Sequence, residues 1–349
     1  MSKKILIELV DDFELWERYL DQFPEANFLQ SSSWKTFQGK MGKKVWAVRL
    51  YDSKQPKNKT SLALALVVAE NAKRAKYLTI AGGPLLNWQN KDRQLIIQSL
   101  LDYLKKIAED EKISFLRLRP QVLSTPELHN FFKQLGFQQS PMHLTADLTL
   151  QLDLSQSEEA LLAQMRKNTR YEIRRAQKIG ISTRFSKNPA DIQAFYEAQL
   201  DLAKRQNFVP FSYQFLYQQF LAFLEHDQVA LIHSYYQDQL LASAFVIFYR
   251  QEAVYHYGIS TLANLKLPGS YACQWAAIRE AKARGLSTYD FWGISPANES
   301  QHRFAGVSLF KRGFGGKEVA YLPAQDFPFS SNYLLVKTFE LLRKKVRKL

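Results

Sequence analysis

The chain has 349 residues, 46% of them hydrophobic, with 24 Phe, 17 Tyr and 6 Trp against 14 Gly and 12 Pro; it can bury two cores of ordinary size, and a disordered or fibrous chain is excluded. The 47 Lys and Arg against 33 Asp and Glu give +14, a surplus that attracts polyanions such as nucleic acid, anionic lipid or a phosphorylated substrate. A single cysteine, Cys273, excludes an intramolecular disulfide framework, fits a reducing compartment and leads to a cytoplasmic assignment.

From the N-terminus, MSKKILIELVDD carries too short an apolar stretch for a signal peptide and runs into two aspartates, so it reads as a first strand. An acidic-capped helix follows over VDDFELWERYLDQF (10–23). The runs LALALVVA (62–69) and LLASAFVIF (240–248) fall far below the roughly 20 residues needed to span a bilayer. RQLIIQSLLDYLKKIAEDEK (93–112) has helical spacing and leads into the alternating strand ISFLRLRP (113–120). The same grammar returns later. SKNPADIQAFYEAQLDLAKR (186–205) repeats the acidic-capped helix, and SYACQWAAIREAKARG (270–285) leads into the strand STYDFWGI (287–294). Two copies of one α/β unit are therefore expected, with the seam near QSPMHLTADLTLQLDLSQS (139–157) and a cleft between the halves as the default site. The last stretch, SNYLLVKTFELLRKKVRKL (331–349), places Leu334, Leu335, Phe339, Leu342 and Val346 at helical spacing beside Arg343, Lys344, Lys345, Arg347 and Lys348. Such an amphipathic helix caps its own domain or lies at a membrane interface; the first is the expectation.

The densest basic segment is QMRKNTRYEIRRAQKIGI (164–181). Arg166, Arg170, Arg174 and Lys178 are four apart, and Lys167 and Arg175 lie eight apart on a neighbouring line. On a helix such spacing stacks like charges along one face, over about 18 Å at 1.5 Å per residue. That face calls for an anionic partner, while Met165, Ile173 and Ala176 turn inward. The six histidines, at 129, 143, 226, 233, 256 and 302, form no HxxxH or HExxH spacing, so no metal site is expected. Cys273 reads as a buried, inert thiol. GFGGKE (313–318) lacks phosphate-loop spacing, and LKLPGSYACQW (265–275), a turn into a helix N-terminus, carries one glycine and loses a donor at Pro268. Asp290 is either catalytic or bonded to nearby backbone. In GVSLFKRGFGG (306–316), Val307 to Phe310 read as the end of a strand from which Lys311 reaches into the cleft, while Gly313, Gly315 and Gly316 let the backbone turn. An ammonium there stabilises charge developing on an ester.

FLQSSSW (28–34), LRLRPQ (116–121), the RKNTRYEIRRAQKIGI run, KLPGSYACQWAAIREAKARG, YDFWGI (289–294) and LFKRGFGG (309–316) occur in one order across essentially the whole chain. In this conjunction the sequence resembles the Fem-type (FemABX) peptidyltransferases, in a compact form without a helical arm. The resemblance implies an α/β (α+β) fold of two tandem GNAT, or acetyltransferase-like, domains with an interdomain cleft. The C-terminal segment would return to the first domain, giving 1–147 plus 321–349 for precursor binding and 148–320 for the catalytic, aminoacyl-tRNA side. It implies transfer of an amino acid from aminoacyl-tRNA to a peptidoglycan-precursor stem peptide by a monomer that needs no cofactor beyond the charged tRNA. Lys311 falls on the lysine acting on the tRNA-borne ester, and Phe310 on the neighbour whose backbone orients the carbonyl. Tyr255 and Tyr257 match an aromatic pair lining the peptide channel, and the basic stripe matches the tRNA-facing segment. Around the precursor, Trp34 is kept, but Gln38, flanked by Lys35 and Lys40, stands at a phosphate-binding lysine position. Phe211 replaces its partner arginine, Phe215 a tyrosine, and Arg119 an aspartate found in some members. Both lipid-linked and nucleotide-linked (UDP-muropeptide) precursors thus remain open, with peripheral membrane contact for the former. The alternatives are an acyl-CoA-dependent N-acyltransferase and a non-catalytic RNA- or membrane-surface module.

Overall fold

In the computed structural model, which describes residues 4–54 and 60–347, with side chains up to Lys345 at the C-terminal end, the chain forms two units: Met1–Asp147 with Ala320–Leu349, and Leu148–Val319. The first opens with β1 (Ile5–Leu9) and α1 (Phe13–Leu20), whose N-cap Asp12 accepts the Leu15 amide. Ser31 caps α2 (Ser32–Lys40) in the same way through the Trp34 amide. Then come β2 (Val45–Asp52), β3 (Ser61–Asn71), β4 (Lys76–Gly82) and the two-residue β5 (Leu85–Leu86). The long α3 (Arg93–Glu111) leads to β6 (Phe115–Pro120), and α4 (Pro126–Gln134), with Thr125 as cap and proline in its first turn, leads to β7 (Gln138–Gln139). The apolar stripe of α3, Ile96, Ile97, Leu100, Leu101 and Leu104, covers inward residues of the sheet such as Leu78, Ile80, Leu116 and Leu118.

The second unit repeats this plan. It comprises β8 (Leu148–Asp153), α5 (Glu158–Gln164), α6 (Lys167–Lys178), β9 (Ser182–Ser186), α7 (Asp191–Gln206), α8 (Tyr213–Leu224), β10 (Val229–Tyr236), β11 (Gln239–Tyr249), β12 (Glu252–Ser260), α9 (Gly269–Ala283), β13 (Thr288–Gly293), α10 (Ala305–Arg312) and β14 (Lys317–Ala320). The sheet runs β14-β8-β13-β12-β11-β10-β9; β12 and β13 are parallel, and β8 with β13, β11 with β12, β10 with β11 and β9 with β10 are antiparallel. α9 is the crossover between those parallel strands, as α3 is between β4 and β6. On one face Ala277, Ile278 and Ala281 of α9 meet Ala244, Val246 and Phe248 of β11.

The chain then returns to the first unit. β15 (Gln325–Pro328) inserts between β6 and β7, antiparallel to both, completing the order β1-β2-β3-β4-β6-β15-β7. α11 (Asn332–Arg347) follows, held by Tyr333, whose hydroxyl donates to Asp326 Oδ2, and by Glu340, which accepts from Arg117. Leu334, Leu335 and Leu342, expected to face the domain, point outward at 62%, 75% and 59% exposure. The inward side is instead made by Tyr333, fully buried, and by Phe339 under the Arg74 guanidinium. Lys348 lies outside the described residues, as do the side chains of Val346 and Arg347.

A second correction concerns Lys311. Residues 305–312 are helical, not the end of a strand. A short apolar run does not choose its own period. Here Ser308 chooses it: its hydroxyl donates to Phe304 O one turn back and accepts the Ser295 amide, a pairing available only to a helical turn. Lys311 and Arg312 then occupy the last turn, where cations suit the carbonyl end of the helix.

Candidate active site

The site begins where two parallel strands part. β12 and β13 pair through only three positions, Glu252 with Thr288, Ala253 with Tyr289 and Val254 with Asp290. Beyond Asp290 the register of β13 against β8 shifts, and Trp292 takes a left-handed φ of 61°. That conformation costs a bulky residue about 1–3 kcal/mol and marks a constrained position. The bend folds the Trp292 amide back onto Asp290 Oδ1 at 2.6 Å. It also leaves the Gly293 carbonyl to accept Lys311 Nζ at 2.7 Å.

Lys311 is 7% exposed, with its ammonium 5.6 Å from the centroid of Tyr255. Burial pushes its pKa down from 10.5 to about 8, with the charge of Asp290 opposing the fall. Asp290 is itself 1% exposed. Burial raises its carboxyl, while Thr149 Oγ1, Gln151 Nε2 and the Trp292 amide all donate to it, and the Lys311 charge also favours the anion. Of the two readings for Asp290, the bond to nearby backbone is the one seen, from the Trp292 amide, and the carboxyl also faces the lysine's charge. Thr149 and Gln151 lie on β8 between the core residues Leu148, Leu150 and Leu152. That polar alternation was the available signal for two residues the motif reading missed.

Phe310 packs edge-on against Tyr271 at 5.1 Å and Phe314 at 5.3 Å, and its carbonyl accepts the Gly313 amide at the helix end. Gly315 and Gly316, with φ of 82° and 90°, turn the chain from α10 into β14; a Cβ on Gly316 would stand 2.5 Å from the Gln151 carbonyl.

Tyr255 and Tyr257 do not form a pair. Simple alternation would put both on one face, but the β11–β12 ladder shifts register between Phe245 and Val246, leaving His256 as an extra residue. Tyr255 sits opposite Val246, packed against the α9-side core that borders Lys311. Tyr257 sits opposite Phe245 on the other face, where its hydroxyl donates to Gln219 of α8 and its ring meets Phe211 at 4.7 Å. Phe211 stacks on Phe215 at 4.7 Å and 9°, so three aromatic rings occupy the α7–α8 face.

Of the residues expected around the precursor, Phe211 and Phe215 thus belong to the second unit, and Trp34, Lys35, Gln38 and Arg119 to the first. Trp34 packs edge-on against Phe28 and Phe37. Lys35 donates to Val10 O and reaches Asp11 at 3.4 Å. Gln38 is buried, and its Oε1 finds no hydrogen-bond partner among the described residues. Arg119, fully buried on β6, donates to Thr145 and to Gln121 at 2.7 Å and lies over Tyr321.

The basic segment is rearranged. It is not one helix: Met165 and Arg166 are extended between α5 and α6. Arg166 and Arg170 turn back to carbonyls, Leu309 O for the first and Ala163 O with Met165 O for the second. Arg175 is taken by Glu172 and Lys266 O. The outward line is Lys167, Tyr171, Arg174 and Lys178, all exposed, at i, i+4, i+7 and i+11. A tyrosine at 60% exposure therefore stands within three cations, a feature the charge count alone did not single out. Met165, Ile173 and Ala176 are buried, as expected.

At the N-terminus of α9, the other anion candidate, the Ser270 amide is already taken by Asn264 Oδ1 at 2.7 Å. Cys273 is buried with its thiol pushed up to about 12 by desolvation. Among the described residues no group of His, Cys, Asp or Glu could hold a metal ion, and no helix is long and apolar enough to cross a membrane.

The chain is similar to known proteins in sequence and in fold. The chain is similar to aminoacyltransferase FemA of Staphylococcus epidermidis, with 30% identity over 105 residues, 30% of this chain and 25% of FemA. FemA of Staphylococcus aureus strain MW2 matches equally over 104 residues. The chain thus matches about a quarter of the length of these relatives. In structure it is similar to FemX, with a TM-score of 0.80 at 16% identity, covering 97% of this chain and 100% of that one. A tandem GNAT protein from the clavulanic acid biosynthesis pathway gives 0.58 at 11% identity, covering 94% and 99%. These distant likenesses establish the fold, two GNAT domains in tandem. The acetyltransferase (GNAT) domain model matches residues 163–303. Because the FemAB family model matches residues 13–232, well over half of the sequence, the chain belongs to the FemAB family.

Proposed function

We propose that this protein is an aminoacyltransferase of peptidoglycan bridge synthesis that takes its amino acid from aminoacyl-tRNA. The observation that carries the reading is Lys311: a buried ammonium, held on the Gly293 carbonyl at 2.7 Å where β12 and β13 separate. The precursor's stem-peptide amine attacks the ester carbonyl carbon of the charged tRNA. A C–N bond forms, the ester C–O bond breaks, and the ribose oxygen leaves with the proton the amine gives up. Lys311 stabilises the negative charge that develops on the carbonyl or ribose oxygen, an effect worth about 2.7–4 kcal/mol for one such donor. Asp290 is not the base, because its oxygens are engaged by Thr149, Gln151 and the Trp292 amide; it supports the charged form of Lys311. The amine's proton reaches the ribose oxygen directly or through water.

The tRNA meets the second unit on the line Lys167, Tyr171, Arg174 and Lys178. Trp34 in the first unit and the aromatic face of Phe211, Phe215 and Tyr257 in the second are each surfaces offered to the precursor. A lipid-linked precursor is favoured over a nucleotide-linked one. Lys35 is engaged by Val10 and Asp11, and positions 38, 211 and 215 offer no charge for a diphosphate. The enzyme works in the cytoplasm with peripheral access to the membrane. Coenzyme A chemistry is disfavoured by the occupied Ser270 amide.

The test is to incubate the protein with mixed charged tRNAs and lipid-linked or nucleotide-linked muropeptides and to weigh the products. The expected result is a muropeptide heavier by one or more amino acids, absent with Lys311→Met. Unchanged turnover by folded Lys311→Met would refute the role assigned to the lysine, and saturable turnover with an acyl-CoA in place of charged tRNA would overturn the donor.

A further inference from the structure

The C-terminal helix α11 wears its leucines outward. Leu334 and Leu341 are two turns apart on one line, Leu335 and Leu342 on the next, and the four are 62%, 50%, 75% and 59% exposed. Exposed Thr338 lies between them, and exposed Lys345 extends the same face toward the helix end. The opposite side is fixed to the first unit: Tyr333 bonds Asp326, Glu340 takes the Arg117 guanidinium at 2.7 Å, Lys337 bonds Gln138, and Arg74 covers Phe339. The leucines are therefore not the inner face of a helix lifted off its domain; they belong to a docked helix. Such contiguous apolar surface on an anchored element marks an interaction site.

Charge identifies the occupant. The sequence from 343 reads RKKVRKL, five cations in seven residues, and the one acidic residue of α11, Glu340, is already paired with Arg117. Paired in parallel, a second copy of this face would bring two basic ends together, and paired in either direction neither helix offers a free carboxylate to answer the other's cations. An anionic bilayer answers both features: acyl chains for the leucines, phosphate headgroups for the lysines and arginines. We propose that the outward face of α11, Leu334, Leu335, Leu341 and Leu342 with its basic end, is a docking surface for anionic phospholipid membranes. The helix would lie in the plane of the interface and keep the first unit at the surface from which a lipid-linked acceptor is presented. Only that purpose rests on the lipid-linked acceptor proposed above; the binding itself does not.

Co-sedimentation of the full chain with large vesicles tests it. The protein is expected to bind vesicles of phosphatidylglycerol and phosphatidylcholine in equal parts, to bind pure phosphatidylcholine at least tenfold less, and to be released by salt. Replacing the four leucines by serine should weaken binding about tenfold or more. Replacing Arg343, Lys344 and Lys345 together by glutamine should weaken it on the order of a hundredfold, at about fivefold per cation. Because the leucine variant could perturb the fold, Leu335→Cys carrying an environment-sensitive fluorophore gives a second reading, since native Cys273 is buried; its emission should shift to the blue on anionic vesicles. No binding, binding indifferent to these changes, or a concentration-dependent dimer that the leucine variant dissociates would each overturn the proposal. Lys311→Met should bind vesicles like the parent. In the parent protein, absence of transfer with intact membrane binding sinks only the aminoacyl reading, and transfer to a water-soluble muropeptide without membrane binding sinks only this one.

Discussion

The two units share one plan, a mostly antiparallel sheet with a single parallel pair bridged by a helix, yet they treat that pair in opposite ways. In the first unit β4 and β6 stay registered through six positions, from Tyr77 with Phe115 to Gly82 with Pro120. In the second, β12 and β13 part after three. Each unit also buries a cation near its pair. Arg117 on β6 is closed off by a bidentate contact with Asp326 at 2.7 and 2.9 Å and by Glu340. Lys311 is given one carbonyl and, among the described residues, no carboxylate within ion-pair distance. The closed pair builds a structural ion network; the open pair leaves an ammonium underused and therefore available. Divergence after duplication is thus written less in the fold than in how completely each buried charge is satisfied.

Breaking the closed side should cost stability and leave chemistry alone. Arg117→Met strands Asp326 and Glu340 and is expected to destabilise the protein by about 3–5 kcal/mol in a denaturant melt, with turnover per folded molecule unchanged. Breaking the open side should do the reverse. Lys311→Met is expected to lower kcat about 100- to 1,000-fold. It should also remove a pH dependence of stability: the native lysine titrates near 8 and the unfolded one near 10.5, so the unfolded chain binds more protons between those values. Stability of the parent should therefore rise with pH across that window, and that of the variant should not.

Sharper contrasts come from smaller changes. Tyr171→Ala should weaken binding of single-stranded RNA by about 1–3 kcal/mol if the ring stacks on an unpaired base. Glutamine at Lys167, Arg174 or Lys178 should each lower the salt slope of binding by about one; glutamine at Arg166 or Arg170, already turned to carbonyls, should lower it less. Asp290→Asn removes the charge that holds up the Lys311 pKa. The alkaline limb of activity, on which Lys311 loses its proton, should move to lower pH, with turnover at pH 8 reduced on the order of tenfold.

Much of this was legible in the sequence, and the exceptions share a cause. Duplication, the crossover helices before β6 and β13, and the buried face of α6 follow from local periodicity, which α3 and α9 display over many residues. The family motifs also brought the reading to Lys311. Its helix was misread as a strand because GVSLF is too short to set a period, and the choice is made by a distant partner, Ser295. Tyr255 and Tyr257 were read as one pair because a bulge is invisible to alternation. The basic stripe was right in composition and wrong in membership, since carbonyls of α5 and α10 claim Arg166 and Arg170. For α11 the spacing was correct and the direction reversed: periodicity defines a face but does not say which way it looks.

The return of the chain to the first unit has a consequence for its synthesis. β15 sits inside the sheet, between β6 and β7, although about two hundred residues separate it in sequence from either neighbour. On a ribosome the second unit has all its strands before β15 has emerged, while β6 waits with an unsatisfied edge. The half made first is finished last, and a chaperone or protease surveying nascent polypeptides would meet its open edge in that interval.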